Sequence, residues 1–122
     1  MADLDTLTPS DILASASDEL GNALAAVRGQ ALAASGAKRE ELFDLFDQLL
    51  RRHRKLMFRD LKIIDQDPEI VGAIQTLATL TQHMAKVRRE MKTAKDAIEG
   101  ATKFLGFVDQ FLRILGKVGV LA

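Results

Sequence analysis

Two histidines are the side chains of this sequence best suited to acid–base chemistry near neutral pH. His53 lies between two apolar columns of a helical segment, and Asp60 follows it by one heptad. A polar group at that position needs a hydrogen-bond partner, because burying it without one costs about 1–3 kcal/mol. An antiparallel neighbouring helix would offer Ser17 or Asp18, so we predict a polar core cluster of His53, Asp60 and Asp18. It either fixes the helix register or forms a pH-sensitive or ligand-binding site.

No catalytic, cofactor-binding or metal-binding residue is predicted. The chain has two His, no Cys and no Glu-x-x-His pair, so it lacks the ligands of a di-metal bundle site. The serines belong to no nucleophile motif, and the glycines form neither a phosphate loop nor a dinucleotide fingerprint. We therefore expect a protein that is not an enzyme and that needs no cofactor.

A basic run, Arg51-Arg52-His53-Arg54-Lys55, is the segment best suited to binding phosphate groups. Its charges point around the whole helix, and no aromatic residue is interleaved to stack on bases. Lys plus Arg equals Asp plus Glu at 17 each, so no net field attracts nucleic acid. Nucleic-acid binding through this run, together with Arg88 and Arg89, is the weakest of three functional hypotheses.

A heptad pattern runs through the C-terminal half of the chain and predicts the helix that would position any site there. In every heptad from residue 70 to residue 115, the two positions that form the seam of the helix are apolar, whereas charged residues lie between them. The first seam positions are Ile70, Leu77, Met84, Met91, Ile98, Leu105 and Leu112. Such a repeat is typical of a helix packed along one seam against other helices.

Capping and turn residues predict three helices after an N-terminal tail at residues 1–7. Thr8 with Pro9 begins a helix at about 9–34, and Ser35-Gly36 ends it. A second helix at about 37–64 has a wide apolar face. Asp67 and Pro68 begin a third helix at about 68–118, which the unbroken seam makes long and coiled-coil-like.

The predicted fold is all-α, a single domain over residues 8–122 built as an antiparallel bundle of three helices. Opposite charges favour this arrangement: Asp18 and Glu19 would approach Arg51 and Arg52, and the acidic start of helix two would meet the basic stretch 86–95. Helices one and two then end opposite about Ala97, which leaves residues 98–121 as an apolar extension. The alternative is a bend near Gly100 that returns this segment as the fourth helix of a bundle.

The apolar extension predicts a non-enzymatic oligomerisation, scaffold or protein-interaction module. It would bind copies of itself or a helical protein partner, since an apolar helix of this kind is not stable alone in water. The predicted interaction residues are Phe104, Leu105, Phe107, Val108, Phe111, Leu112, Ile114 and Leu115. The alternative is a membrane-associated or pore-forming helix, because residues 103–121 resemble an interfacial amphipathic helix. An acidic N-terminus without a signal pattern and the lack of a long apolar run lead us to expect a cytoplasmic location, with peripheral membrane binding as the exception.

Overall fold

The computed structural model describes residues 8–57 and 65–116 of the chain. Within these ranges the regular structure is helical, which confirms the predicted all-α fold. The helices are α1 (Pro9–Ala33), α2 (Gly36–Met57), α3 (Pro68–Gly72), α4 (Ile74–Arg89) and α5 (Ala94–Gly116). The predicted tail, the last residues of predicted helix two and the final part of the apolar extension fall at 1–7, 58–64 and 117–122, outside the described residues.

Helix α1 begins as its sequence predicts. Thr8 caps it: the Asp11 N–H donates to the Thr8 hydroxyl at 3.2 Å, and the Thr8 N–H donates to the Asp11 carboxylate at 2.9 Å. The Thr8 backbone and side-chain hydrogen bonds lower the pKa of Asp11. Pro9 occupies the first turn, where its missing N–H costs nothing.

Helices α1 and α2 form an antiparallel hairpin around the turn at Ala34-Ser35. The leucines at 42, 45, 49 and 56 form the buried face of α2, whereas small residues such as Ala16 and Ala23 are fully buried on α1. The Ser17 hydroxyl and the His53 ring nitrogen Nε2 lie 3.4 Å apart across the hairpin. This contact agrees with the predicted register of the two helices.

Helix α3 is a single turn that immediately precedes α4. The Asp67 carboxylate accepts the N–H groups of Glu69 at 2.9 Å and Ile70 at 3.3 Å, so the predicted start at Pro68 is correct. Ala73 then interrupts the helix before α4 begins at Ile74. Asp65 connects this region to α1 through two hydrogen bonds. Its carboxylate accepts the Ser10 N–H at 2.8 Å and the Ser10 hydroxyl at 2.7 Å.

The prediction of one straight helix over 68–118 is wrong, because the chain turns at residues 90–93. The Glu90 N–H donates to the Val87 carbonyl, and the Lys92 N–H donates to the Glu90 carbonyl at 2.9 Å. Thr93 then caps α5 by accepting the Asp96 N–H at 3.1 Å. The alternative prediction of a returning fourth helix matches the structure better, although its bend is not near Gly100.

Gly100 lies buried inside α5 and allows that helix to approach the turn closely. A Cβ atom at this position would lie 3.1 Å from Met91 Cγ and 3.3 Å from Val87 Cγ1. Met91 is itself buried. Gly100, which the sequence indicates as the site of a bend, therefore lies within α5 and packs against the turn at residues 90–93.

The four long helices pack as a bundle of two hairpins, α1–α2 and α4–α5. Helix α1 lies beside α4, α2 lies beside α5, and α1 and α5 also contact each other across the centre. Helices α2 and α4 occupy the two remaining, opposite corners. The bundle covers residues 98–116, so the prediction that this segment lacks a partner within the chain is wrong.

The charge pairs differ from those predicted for a three-helix arrangement. Arg88 Nε lies 2.8 Å from a Glu19 carboxylate oxygen, and this hydrogen bond raises the pKa of Arg88. Arg52 Nε lies 3.1 Å from an Asp109 carboxylate oxygen. The basic stretch of α4 thus meets α1 rather than the acidic start of α2. Ion pairs at the protein surface contribute only about 0–1 kcal/mol each, whereas burial of the apolar face of α5 decides the packing.

Candidate functional site

The structure places most of the predicted interaction residues in the core of one chain. Six of the eight are buried: Phe104, Leu105, Val108, Phe111, Leu112 and Leu115. Phe107 and Ile114 are half-buried and pack against the edge of this core. Only these two side chains of the set therefore contribute to a surface that another molecule could contact.

Phe107 and Ile114 lie in a shallow groove between α4 and α5, which we call the α4–α5 groove. Its central depression overlaps the two at its ends: it shares Thr76, Leu80 and Gln110 with one, and His83 and Phe107 with the other. The groove is lined by Ala73, Gln75, Thr76, Thr79, Leu80, His83, Lys86, Val87, Glu90, Lys103, Phe107, Gln110, Arg113 and Ile114. It follows most of the length of the α4–α5 hairpin.

The centre of the groove is uncharged. A depression of about 490 Å³ is lined by Gln75, Thr76, Thr79, Leu80, His83, Phe107 and Gln110. None of these is Asp, Glu, Lys or Arg, in a chain in which 28% of residues are of those four types. The centres of protein interfaces are depleted in charged residues in the same way.

His83 and Phe107 form the aromatic contact of the groove. Their ring centroids lie 5.2 Å apart with the planes inclined at 48°. The tilted arrangement is a favourable one for aromatic pairs. It joins α4 to α5 halfway along the groove and leaves the exposed His83 ring available to solvent.

Charged residues lie at the two ends of the groove. Lys86, Glu90 and Lys103 line the end near the α4–α5 turn, and Arg113 lines the end near α3. Three of these four side chains are basic. A molecule in the groove would therefore meet neutral and apolar groups in the middle and mostly positive groups at the ends.

A signal for this groove exists in the sequence, although the heptad analysis missed it. Residues 70–85 contain no Asp, Glu, Lys or Arg. A helix that only packs its seam on a core usually has charged residues on its solvent face. The exposed positions of α4 in this range are instead Gln75, Thr76, Thr79, Gln82 and His83.

The predicted polar cluster around His53 is brought together only in part. His53 is half-buried and contacts Ser17, as described above, whereas Asp18 is exposed. Asp60 lies outside the described residues. The contact with Ser17 supplies a partner for the ring and agrees with the interpretation of His53 as a residue that fixes the helix register.

The basic residues predicted to bind nucleic acid do not form one surface. Arg52 contacts Asp109 and Arg88 contacts Glu19, so two of the five arginines at 51, 52, 54, 88 and 89 have carboxylate partners. Arg51 and Arg54 are exposed on α2, and Arg89 is exposed at the end of α4. Because α2 and α4 occupy opposite corners, these arginines are divided between two sides of the bundle.

Residues 8–57 and 65–116 contain neither a candidate metal site nor a membrane-spanning helix. No group of three or more His, Asp or Glu side chains there converges in a way that could hold a metal ion. No helix in the same ranges combines the length and apolar character needed to cross a bilayer.

Comparison with known proteins gives no relative: no family model, curated protein or solved structure matches this sequence.

Proposed function

We propose that this protein is a non-enzymatic interaction module that binds an amphipathic helix of a partner protein in the α4–α5 groove. The observation that carries the proposal is the uncharged centre of the groove, with Phe107 and Leu80 at its base. A groove between two helices is a recurring binding site for an amphipathic helix, whose apolar stripe it accepts.

The dimensions of the groove fit this occupant. The α4 side extends from Ala73 to Glu90, which corresponds to about 25 Å at 1.5 Å per residue. A partner helix of four to five turns spans that distance. Its contacting face would be apolar and uncharged in the middle, and the basic ends of the groove favour acidic residues at its ends.

The other two functions expected from the sequence rest on weaker observations. The membrane hypothesis needs the apolar face of α5 at a surface, but Phe104 and Phe111 are fully buried. The nucleic-acid hypothesis needs a continuous basic surface, and the arginines it requires are divided between two sides of the bundle. Both remain predictions.

Photo-crosslinking from the groove tests the proposal. In cells of the organism that the protein comes from, a photoreactive amino acid replaces Gln110, which is exposed and lines the groove. The control places the same amino acid at the exposed Asp18 of α1. The protein captured from position 110 and not from position 18 is then purified and titrated against the wild-type chain.

Two matched variants connect that binding to the groove. Thr76→Arg places a charge in the uncharged centre, and we expect it to raise the Kd for the captured protein at least about tenfold, because the charge must be desolvated. Thr102→Arg makes the same change at an exposed position of α5 outside the groove lining and should leave the Kd unchanged. Equal capture at positions 110 and 18, or equal effects of the two variants, would contradict the proposal.

A further inference from the structure

The outer face of α2 differs from the α4–α5 groove because it is fully charged. Its buried face consists of leucines, and the residues opposite them are exposed. From the end of the first turn to the middle of the helix, the exposed residues are acidic: Glu40, Glu41, Asp44 and Asp47. In the second half they are basic: Arg51, Arg54 and Lys55.

This division into two blocks is unfavourable within a single helix. Glu40 and Asp44 are like charges four residues apart, and so are Arg51 and Lys55, and such neighbours repel each other. Within the described residues, the ion pairs Arg52–Asp109 and Arg88–Glu19 use other side chains.

The helix dipole does not account for the blocks. Its preference for acidic residues is confined to the first turn, which here carries Lys38 and Arg39 and no acid. The acidic block begins only after that turn. A second helix with the inverse charge order would remove the repulsion within each block, because it would place opposite charges beside it.

That inverse order is the order of α2 itself when the helix is reversed. Two antiparallel copies, paired about a point between Asp47 and Gln48, bring Asp44 opposite Arg51. The same pairing brings Glu41 near Lys55 and Glu40 near Arg54, because the members of each pair lie on the same side of the helix. A two-fold axis repeats each contact, so one register makes the six charges at 40, 41, 44, 51, 54 and 55 complementary, whereas Asp47 lies next to the axis and faces its own copy.

We propose that the outer face of α2 binds the same face of a second copy of this chain in an antiparallel orientation. Half-buried Phe43 and Leu50 lie beside the charged stripe and add apolar surface to its edge. The Arg39 guanidinium lies 5.7 Å from the centre of the Phe43 ring, which keeps that edge amphipathic. An interface held mainly by exposed charge pairs forms a weak dimer that dissociates as salt rises.

The dimer and the groove do not compete, because α2 and α4 occupy opposite corners of the bundle. The proposal is therefore independent of the helix-binding function. Pairing through α2 leaves both α4–α5 grooves exposed, one on each outer side of the dimer.

Sedimentation of charge-reversed variants of the full-length chain at low ionic strength tests the pairing. The wild-type chain is expected to form a reversible dimer. Asp44→Arg alone and Arg51→Glu alone each create two like-charge contacts in the dimer and should raise the dimer Kd at least about tenfold. An equimolar mixture of the two variants restores both contacts, so it should form a heterodimer with nearly the wild-type Kd.

The recovery in the mixture is specific to this register and is the decisive result. Glu41→Arg and Lys55→Glu repeat the design at an independent contact, and circular dichroism confirms that each variant is folded. A wild-type chain that stays monomeric up to about 1 mM at low salt would overturn the proposal. A dimer that both single variants leave intact, or a mixture that fails to associate, would overturn it equally.

Discussion

At the scale of single residues, two glycines on the surface of the bundle have opposite roles. Gly36 follows the α1–α2 turn with φ of +64°, a conformation that residues with a Cβ atom rarely adopt. Gly106 lies in the middle of α5, is exposed, and has no atom within 4 Å of the position a Cβ would take. The first is required by the backbone, whereas the second only weakens a helix.

Alanine at these two positions should therefore change stability in opposite directions. Gly36→Ala is expected to lower the free energy of unfolding by about 1 kcal/mol, because it forces a left-handed conformation on alanine. Gly106→Ala should raise it by about 0.5–1 kcal/mol through greater helix propensity. Urea denaturation followed by circular dichroism measures both, and a change of the same sign in the two variants would contradict the backbone assigned to Gly36.

At the scale of secondary-structure elements, the turn between α4 and α5 decides the fold. The seam residues Met84, Met91 and Ile98 keep their heptad spacing through the turn, so apolar periodicity gives no sign of it. The capping residues do indicate the turn. Thr93-Ala94-Lys95-Asp96 has the pattern of a helix start, and the basic residues Lys86, Arg88 and Arg89 lie in the last turn of α4.

Removal of the Thr93 cap tests this assignment. Thr93→Ala should lower the free energy of unfolding by about 1 kcal/mol, because the Asp96 N–H loses its acceptor. Thr102→Ala is the matched control: its hydroxyl donates to the Ile98 carbonyl from an exposed position within α5, and alanine there favours the helix. If Thr93 lay inside one continuous helix, both variants would keep or slightly increase stability.

The sequence predicts helix faces and caps well, and it predicts their assembly less well. The cap at Thr8, the start at Pro68 and the burial of seam residues such as Leu77 and Met84 follow from residue types and spacing. The sequence does not predict which helix each face packs against, because a heptad seam is buried equally well by a second chain or by another helix of the same chain. The groove was missed for a related reason, since an uncharged solvent face becomes informative only when the position of α5 beside it is known.

At the scale of the whole molecule, two different surfaces lie at opposite corners of the bundle. The α4–α5 groove is neutral at its centre, and the outer face of α2 is divided into an acidic and a basic half. If both proposals hold, a dimer would present two grooves and would bind a partner with two helices more tightly than one groove alone. Such a molecule would act as a small bivalent scaffold.

The four-helix bundle and the α4–α5 groove both depend on the hairpin of α4 and α5. The distance between Thr76 and Gln110 tests that hairpin directly. The chain has no cysteine, so Thr76→Cys with Gln110→Cys gives two unique, exposed sites for spin labels. Both residues line the same depression, and adjacent packed helices lie 8–10 Å apart, so we expect electron paramagnetic resonance to give a distance below roughly 20 Å. A continuous helix would separate the labels by about 50 Å, and that result would contradict the four-helix bundle.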